Sequence, residues 1–426
     1  MRFFYFYKMK ITDLYKLYSQ HYLVDTDTRT IRPNTIFFAL KGDNFNGNKF
    51  ASKALKTGAT FAIIDEEKYK TEENTILVDD VLSTLQQLAN FHRTQLGIPI
   101  IGLTGSNGKT TTKELINVVL SKKMKVTATK GNLNNQIGVP LTLLSMTPKT
   151  EIGIVEMGAN HQKEIELLCS ICEPDFGYIT NFGKAHLEGF GGFEGVVKGK
   201  SELYTYLKNN NKPAFINPED KIQIEKSVNL KAINFIKDLE LIEVNPFVKF
   251  SFKGNKIQSN LIGKYNYTNI AAACTIGEYF KVSEAKIKEA IENYFPTNNR
   301  SQIIEKIDNK IILDAYNANP SSMKVALENF HSLKDKNKTV ILGDMFELGN
   351  DSLKEHQSIV DLATSLDFTH IYFVGQHFYK TNSELRIFKD YDDLNSFIKN
   401  NPLKLQSILI KGSRGMRLER LLETIT

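Results

Sequence analysis

The stretch GLTGSNGKTT, residues 102–111, decides the fold of the central part of this chain. The apolar run IPIIGLT at residues 98–104 leads into its glycines and has the composition of a buried strand. Residues 110–122 follow with the apolar spacing of a helix. In a strand, glycine-rich loop and helix of this order, backbone N–H groups and the helix N-terminus face phosphate. The stretch therefore predicts a loop that binds a nucleoside triphosphate.

The residue types within this loop suit a bound triphosphate. Lys109 supplies a point charge for phosphate oxygens, and Thr110 supplies a hydroxyl to Mg²⁺. The spacing departs from the usual phosphate loop, because Leu103 stands five residues before Gly108 where a glycine is common. The predicted nucleotide-binding residues of the loop are Gly105, Ser106, Asn107, Gly108, Lys109, Thr110 and Thr111.

Apolar runs and helical patterns alternate through the rest of the chain. Residues 245–262 differ, since they predict an antiparallel hairpin that turns at Gly254 and Asn255. The other predicted strands lie at residues 35–40, 60–64, 152–156, 176–180, 311–313, 339–342, 371–374 and 407–410, with helices at 162–172 and 193–207. Repeated strand and helix order is typical of parallel sheets, so we expect an α/β fold.

The length of 426 residues suggests three domains, at about 150 residues per domain. Residues 1–96 predict a small N-terminal α/β domain, and residues 97–297 predict a central domain of the P-loop ATPase type with a parallel sheet. Residues 298–426 predict a Rossmann-like C-terminal domain, because their strand and helix order is again doubly wound.

Composition excludes several classes of protein. The 54 basic and 48 acidic residues are interspersed, so we expect no nucleic-acid partner. No apolar run approaches the ~18 to 20 residues of a membrane-spanning helix, so we expect a soluble protein without membrane insertion. Residues 1–9 combine a basic residue with aromatic residues and lack a cleavage site, which predicts an extension ahead of Met9 rather than a signal peptide.

The three cysteines favour a reducing, cytoplasmic location over a disulfide framework. Cys169 and Cys172 form a CxxC pair without a second pair, inside an apolar helical pattern. This pattern predicts two core cysteines rather than a metal site.

Five more segments match the motifs of one family in their order along the chain. They are EMGAN at 156–160, TNFGKAHLE at 180–188, DAYNANP at 314–320, GDMFELG at 343–349 and KGSR at 411–414. Together with the phosphate loop, which resembles TGxNGKT, they make the chain similar to the Mur ligase family. The resemblance implies a three-domain enzyme that uses ATP and Mg²⁺. The resemblance further implies that such an enzyme adds D-alanyl-D-alanine to a UDP-N-acetylmuramoyl-tripeptide through an acyl phosphate, and we expect it to act in the cytoplasm as a monomer.

Other functions share part of this pattern. A folylpolyglutamate synthase-like ligase would carry histidine in an Asp-x-x-His-Asn-Pro segment, where this chain reads DAYNANP. A Mur ligase that adds another amino acid remains an alternative, although the Asp-Asn-Pro-Arg segment of the third-residue ligase is absent. A regulatory protein that senses ATP without chemistry is the third alternative. The combination of Lys109, Glu156, His186 and Lys200 favours an enzyme over such a sensor.

The resemblance assigns catalytic and metal roles to a small set of side chains. It places Thr110, Glu156 and His186 at metal ions, and hard oxygen ligands suit Mg²⁺. In VKGKSELY at 197–204 it selects Lys200 for carbamylation by CO₂ and metal binding, with Lys198 facing elsewhere. The predicted catalytic residues are Lys109, His186 and Lys200.

The remaining implied roles concern nucleotide and substrate. The adenine-side and ribose-side residues are Asn269, Arg300 and Asp314. The residues expected to bind substrate are Thr28 and Arg29 at the UDP end, Asn134 and Asn135 in a loop that is alternatively a structural turn, and Asn317, Asn319 and Arg414 in the last domain. Asp344, Glu347 and Lys411 are also expected to face the cleft, because they follow strands of a doubly wound sheet.

Overall fold

The computed structural model describes residues 9–297 and 299–425, so the predicted N-terminal extension lies outside the described residues. The first part of the chain forms a four-stranded parallel sheet with helices around it and a short hairpin of β3 and β4. In chain order its elements are α1 (Ile11–Tyr18), β1 (Val24–Asp25), β2 (Ile36–Phe38), β3 (Lys41–Gly42), β4 (Phe45–Asn46), α2 (Ala51–Lys56), β5 (Phe61–Ile64), β6 (Thr75–Leu77) and α3 (Val81–Leu96). The strand order in the sheet is β1-β2-β5-β6.

The central part is a six-stranded, all-parallel sheet in the order β12-β11-β10-β7-β9-β8. Its elements in chain order are β7 (Ile100–Thr104), α4 (Lys109–Leu120), β8 (Val126–Ala128), α5 (Gly138–Leu143), β9 (Ile152–Glu156), α6 (Glu164–Cys172), β10 (Phe176–Ile179), α7 (Leu187–Phe190), α8 (Phe193–Asn209), β11 (Pro213–Ile216), α9 (Lys221–Lys226) and β12 (Lys231–Asn234). The central strand β7 is buried along its whole length, which explains why its sequence is a continuous apolar run.

Alternation along β7 sends side chains into two different cores. Ile101 and Leu103 pack with Leu115 of α4, whereas Ile100 belongs to the core on the other face with Leu168 of α6. The predicted core cysteines are confirmed, since both thiols of α6 are buried and lie 3.9 and 3.8 Å from the sulfur of Met157.

An antiparallel sheet and two helices complete the middle of the chain: β13 (Leu239–Glu243), β14 (Phe247–Phe252), β15 (Asn255–Ile262), α10 (Lys264–Tyr279) and α11 (Glu284–Glu292). The predicted hairpin is present, but its turn was placed one residue too late. Lys253 and Gly254 form the two-residue turn with φ of 47° and 80°, while Asn255 is already in the strand. Positive φ at both turn positions fits the right-handed twist of the two strands.

The last part is a six-stranded sheet in the order β16-β17-β21-β18-β19-β20, parallel except for the edge strand β16. Its elements are β16 (Gln302–Lys306), β17 (Asn309–Asp314), α12 (Pro320–Ser332), β18 (Lys338–Gly343), α13 (Ser352–Ser365), β19 (His370–Val374), β20 (Arg386–Phe388), α14 (Tyr391–Asn400) and β21 (Ser407–Lys411). Among the described residues, no helix is both long and apolar enough to cross a membrane.

Candidate active site

A cleft of about 1000 Å³ lies between the central and the last sheet. The carboxyl ends of β7, β9 and β10 border it on one side, and those of β17 and β21 border it on the other, which is where parallel sheets bind ligands. Most of the predicted site residues line it: Ser106, Asn107, Gly108, Lys109, Thr110, Thr111, Asn134, Asn135, Glu156, His186, Asn269, Arg300, Asp314 and Asn317.

Two glycines of the phosphate loop have backbone conformations that side chains rarely adopt. Gly105 has φ of 141°, and a Cβ added there would lie 2.0 Å from Oγ1 of Thr180. Gly108 has φ of 78°, directly before the first residue of α4. The loop therefore needs glycine at both positions for its backbone to curve around a phosphate group.

Residues after β10 hold the phosphate loop in shape. The Oδ1 and backbone oxygen of Asn181 accept from the N–H groups of Asn107 and Ser106 at 3.1 and 3.0 Å. Thr180 Oγ1 donates to the Asn107 carbonyl at 2.6 Å. Asn181 and Thr180 were assigned no role from the sequence alone. Both belong to the TNFGKAHLE motif, and that motif was the feature of the sequence that could have identified them.

Lys109 begins α4 and folds back over the loop. Its Nζ donates to the carbonyls of Gly105 and Ser106 at 2.6 and 3.3 Å. Burial lowers the pKa of Lys109, Glu156 opposes this shift, and the charge of Arg300 adds to it. A positive charge held on carbonyl oxygens at the start of a helix is suited to a phosphate chain.

Glu156 ends β9 on the floor of the cleft and is 1% exposed. Thr110 Oγ1 donates to its Oε2 at 3.1 Å, and Asn134 Nδ2 donates to its Oε1 at 2.9 Å. No group of three or more His, Cys, Asp or Glu side chains that could hold a metal exists in the described part of the chain. One carboxylate and one hydroxyl beside a phosphate loop nevertheless match Mg²⁺, which takes few protein ligands and completes its shell with phosphate and water.

His186 lines the cleft but turns toward the last part of the chain. Its Nδ1 lies against the carboxylate of Glu347, and the histidine is the main cause of a lowered Glu347 pKa. Glu347 is not among the residues that line the cleft. It contacts His186, which does, and this contact links the central and last parts of the chain. The second-metal role of His186 stays a prediction.

Lys200 lies behind the cleft wall rather than in it. The side chain is 1% exposed, Nζ donates to the Ala159 carbonyl at 3.0 Å, and it lies 5.0 Å from the ring centre of Phe190. Burial moves the Lys200 pKa well below its usual range, as a neutral amine requires. The amine faces a carbonyl and not the cleft, so this placement gives no support to the predicted carbamate.

The predicted nucleotide residues come together from distant parts of the chain. Asn269 of α10 accepts from Thr112 Oγ1 at 3.1 Å and lies against Gly108. Asp314 accepts from Lys411 Nζ at 2.5 Å and from the backbone N–H of Ser301 at 3.1 Å. These residues line one end of the cleft, and Lys411 lines it with them as expected.

Two residues of the last part of the chain that were expected to face the cleft have their polar atoms bonded within the protein, and the substrate role of Asn319 stays a prediction. Asn319 caps α12 by accepting from Ser322 N–H at 2.9 Å, and its Nδ2 donates to Asn107 Oδ1 at 2.7 Å. The expectation that Asp344 faces the cleft was wrong, because its buried carboxylate accepts from the N–H groups of His377 and Phe378 at 3.0 and 2.9 Å. Backbone N–H groups thus satisfy both side chains: those at the start of α12 for Asn319, and those of the segment after β19 for Asp344.

Thr28 and Arg29 lie in the turn between β1 and β2 of the N-terminal sheet and are not among the residues that line the cleft. The Arg29 guanidinium binds Asp27 at 2.5 Å on the surface and holds the pKa of that carboxyl to about 2. Arg414 is also exposed, and its Nη1 donates to the Tyr316 hydroxyl at 3.3 Å. The substrate roles of these residues stay predictions.

Comparison with known proteins agrees with the motifs. The descriptions "Mur ligase family, catalytic domain", "Mur ligase middle domain" and "Mur ligase, glutamate ligase domain" match residues 21–93, 103–277 and 299–413. The UDP-N-acetylmuramoyl-tripeptide--D-alanyl-D-alanine ligase of Bacillus subtilis is 36% identical over 94% of this chain and 92% of its own length.

Solved structures match over the same extent. MurF from Acinetobacter baumannii is 30% identical with a TM-score of 0.84, over 94% of this chain and 92% of that one. MurF ligase from Thermotoga maritima in complex with ADP is 27% identical with a TM-score of 0.81, over 95% and 96%. The predicted three-domain α/β architecture is thereby confirmed, and this chain belongs to the Mur ligase family.

Proposed function

We propose that this protein is an ATP-dependent ligase that joins D-alanyl-D-alanine to UDP-N-acetylmuramoyl-tripeptide in the synthesis of peptidoglycan precursors. The observation that carries the proposal is the cleft between the two sheets. Lys109, Thr110 and Glu156 line it from the central part of the chain, and Arg300 and Asp314 line it from the last part. Two relatives support the proposal. The Bacillus subtilis protein carries the name of this ligase, the Acinetobacter baumannii structure is a MurF, and each matches 94% of this chain.

The reaction makes an amide from a carboxylate, which needs activation. An oxygen of the tripeptide carboxylate attacks the γ-phosphorus of ATP, ADP leaves, and an acyl phosphate forms. The amine of D-alanyl-D-alanine then attacks the acyl carbon, the bond from that carbon to the phosphate oxygen breaks, orthophosphate leaves, and the amine's proton passes to solvent. Phosphoryl transfer asks the protein mainly for alignment and charge compensation. Lys109 and the N–H groups of the loop supply both at the phosphates.

Mg²⁺ fits the floor of the cleft, with Thr110 and Glu156 as its protein ligands. When bound, the ion neutralises charge that develops on the phosphate oxygens. Asn134 then acts on the protein side, because its amide N–H holds one carboxylate oxygen of Glu156 and leaves the other directed at Thr110.

The remaining assignments place the two ends of the substrate. Residues 1–96 form the UDP-binding domain, with Thr28 and Arg29 at the uridine end, and residues 97–297 form the ATP-binding domain. Residues 298–426 form the ligase domain, in which Asn317 and Arg414 bind the dipeptide. The protein acts in the cytoplasm as a monomer, where the nucleotide-linked precursor and ATP are both available.

The test is an assay of the purified chain with ATP, Mg²⁺, UDP-N-acetylmuramoyl-tripeptide and D-alanyl-D-alanine. We expect orthophosphate release that requires both peptide substrates, together with a pentapeptide product detected by mass. Tripeptides that contain meso-diaminopimelate or lysine are compared side by side. Absence of the product with both tripeptides, or phosphate release that ignores D-alanyl-D-alanine, contradicts the proposal.

A further inference from the structure

The side chain of Tyr316 contacts two arginines, one of which precedes β16, the first strand of the last sheet in the chain, while the other follows β21, its last strand. The guanidinium carbon of Arg300 lies 3.7 Å from the centre of the Tyr316 ring, and that of Arg414 lies 5.1 Å from it. Arg414 Nη1 also donates to the Tyr316 hydroxyl at 3.3 Å. Both distances to the ring centre are within the range of a cation–π interaction. One aromatic side chain that lines the cleft thus contacts two positive charges.

Neither arginine has a carboxylate partner within ion-pair distance among the residues that the structure describes. Arg300 lines the cleft, and its Nε is buried without a hydrogen-bond partner in the described chain. The cost of removing a charged N–H donor from water is not offset unless an acceptor, here one from a ligand, pairs with it. The two guanidinium groups are therefore suited to anionic groups of the substrates.

The two arginines point to different substrates. Arg300 is close enough to the phosphate loop for its charge to contribute to the lowered pKa of Lys109, after the larger effect of burial. Arg414 follows β21, is exposed, and reaches the cleft only through Tyr316, which lines it. An incoming dipeptide brings a free carboxylate, which a guanidinium binds in a bidentate manner.

The backbone that carries Tyr316 is fixed from both sides. Lys411 Nζ donates to Asp314 Oδ2 at 2.5 Å and to the carbonyl of Asn317 at 3.2 Å. This one ammonium group closes the turn that contains Tyr316, so the ring is a rigid support for the two more flexible side chains. A rigid support lowers the ordering cost of each arginine when its anion binds.

We propose that Tyr316 is a positioning residue that holds Arg300 toward the phosphates and Arg414 toward the carboxylate of the dipeptide. The inference rests on the proposed function, whose chemistry it extends to one side chain of the DAYNANP segment. Tyr316 does not touch the reacting atoms. It acts through the arginines, and its two interactions are separable, because the hydroxyl binds only Arg414 while the ring supports both.

Two variants separate these interactions. Tyr316→Phe keeps the ring and removes the hydroxyl, so we expect the KM for D-alanyl-D-alanine to rise about fivefold while the Kd for ATP stays unchanged. Tyr316→Leu removes both, so we expect the dipeptide KM to rise about tenfold and the Kd for ATP about threefold. ATP binding is measured by calorimetry without turnover, and thermal unfolding shows that both variants are folded.

Two further variants serve as controls. Tyr379→Leu removes an exposed tyrosine of the same domain, and we expect it to change neither constant. In an Arg414→Gln background, Tyr316→Phe should add no further rise in the dipeptide KM, because its effect runs through that arginine.

The inference is overturned if the wild-type chain forms the pentapeptide while Tyr316→Leu keeps both constants, or if Tyr316→Phe weakens ATP and not the dipeptide. Failure of the wild-type chain to form the product instead contradicts the proposed function.

Discussion

Lys109 is the residue with the most direct electrostatic task, because its ammonium group lies on two loop carbonyls beside the phosphate position. Replacing it removes the charge without removing the fold, since α4 keeps its other packing residues. We expect Lys109→Ala to lower the rate of phosphate release by about a thousandfold or more, as the loss of a transition-state charge partner does. The exposed Lys208→Ala is the matched control, and full activity of Lys109→Ala contradicts the assigned role.

His356 is a buried titratable residue outside the cleft. Its Nε2 accepts from Met345 N–H at 3.0 Å, and its Nδ1 donates to the Ser352 carbonyl at 2.7 Å. Burial lowers the pKa of His356, and the neighbouring Asp344, His377 and Glu355 modify this shift. The folded protein thus holds the ring neutral, with one nitrogen as donor and the other as acceptor.

The sign of the pH effect follows from proton binding. A histidine whose pKa is lower in the folded state binds fewer protons there than in the unfolded state. Its contribution to the free energy of unfolding is therefore complete above pH 6.5, the ordinary histidine pKa, and decreases as the pH falls below that value. We expect the free energy of unfolding to fall between pH 7.5 and 5.5, by at most about 1.4 kcal/mol per pH unit for this residue.

Denaturant unfolding of the wild type and His356→Gln at both pH values measures this effect. The variant should show a weaker fall, and the buried His92, whose pKa is also lowered, should retain part of it. His21→Gln, at an exposed position, is the control. An equal fall in wild type and His356→Gln is the contrary result.

At the scale of elements, the side chain at the start of α12 both caps this helix and contacts the phosphate loop. Asn319 caps the helix and also binds Asn107 of the loop. A serine can replace the cap but is too short for the second interaction. The two tasks of Asn319 can therefore be separated by substitution.

We expect Asn319→Ala to lower the free energy of unfolding by about 1 kcal/mol, whereas Asn319→Ser lowers it by less. Both should raise the KM for ATP about threefold, because Asn107 loses its partner. Asp390→Ala removes the cap of α14, away from the cleft, and should reduce stability alone. Unchanged ATP kinetics in both Asn319 variants would show that the contact with Asn107 has no functional consequence.

At the scale of the whole molecule, the segment after β10 joins the central and last sheets. Lys184 Nζ binds the buried carboxylate of Glu355 at 2.6 Å, and its backbone N–H donates to Ser321 Oγ at 2.9 Å. His186 and Glu347 make a second link nearby. These contacts hold the two walls of the cleft together in this arrangement of the domains.

We expect Lys184→Met to lower kcat severalfold, because the walls of the cleft spend less time together and Glu355 keeps an unpaired charge. X-ray scattering should show a larger radius of gyration for the variant than for the wild type, and a smaller difference when an ATP analogue is added. Lys324→Met, which breaks an exposed pair on α12, is the control. Identical scattering and kcat for wild type and Lys184→Met would refute the role of this link.

Much of the fold and part of the site follow from local sequence. The β7 run, the glycines and Lys109 are neighbours along the chain, so periodicity and spacing predicted both the strand–loop–helix unit and its phosphate chemistry. The edge strands were harder. β16 and the β13 strand of the antiparallel sheet are short and half-exposed, and they carry no strong pattern.

What the sequence by itself determined is the family, the order of the elements and the set of polar residues at strand ends. The tertiary structure decided which of these face the cleft. Asp344 and Asn319 were satisfied by nearby N–H groups, Lys200 by a carbonyl behind the wall, and Tyr316 gained arginines from both ends of the last domain. The physical reason is that a buried polar group takes its partner from the nearest surface in space, and chain spacing does not specify that surface.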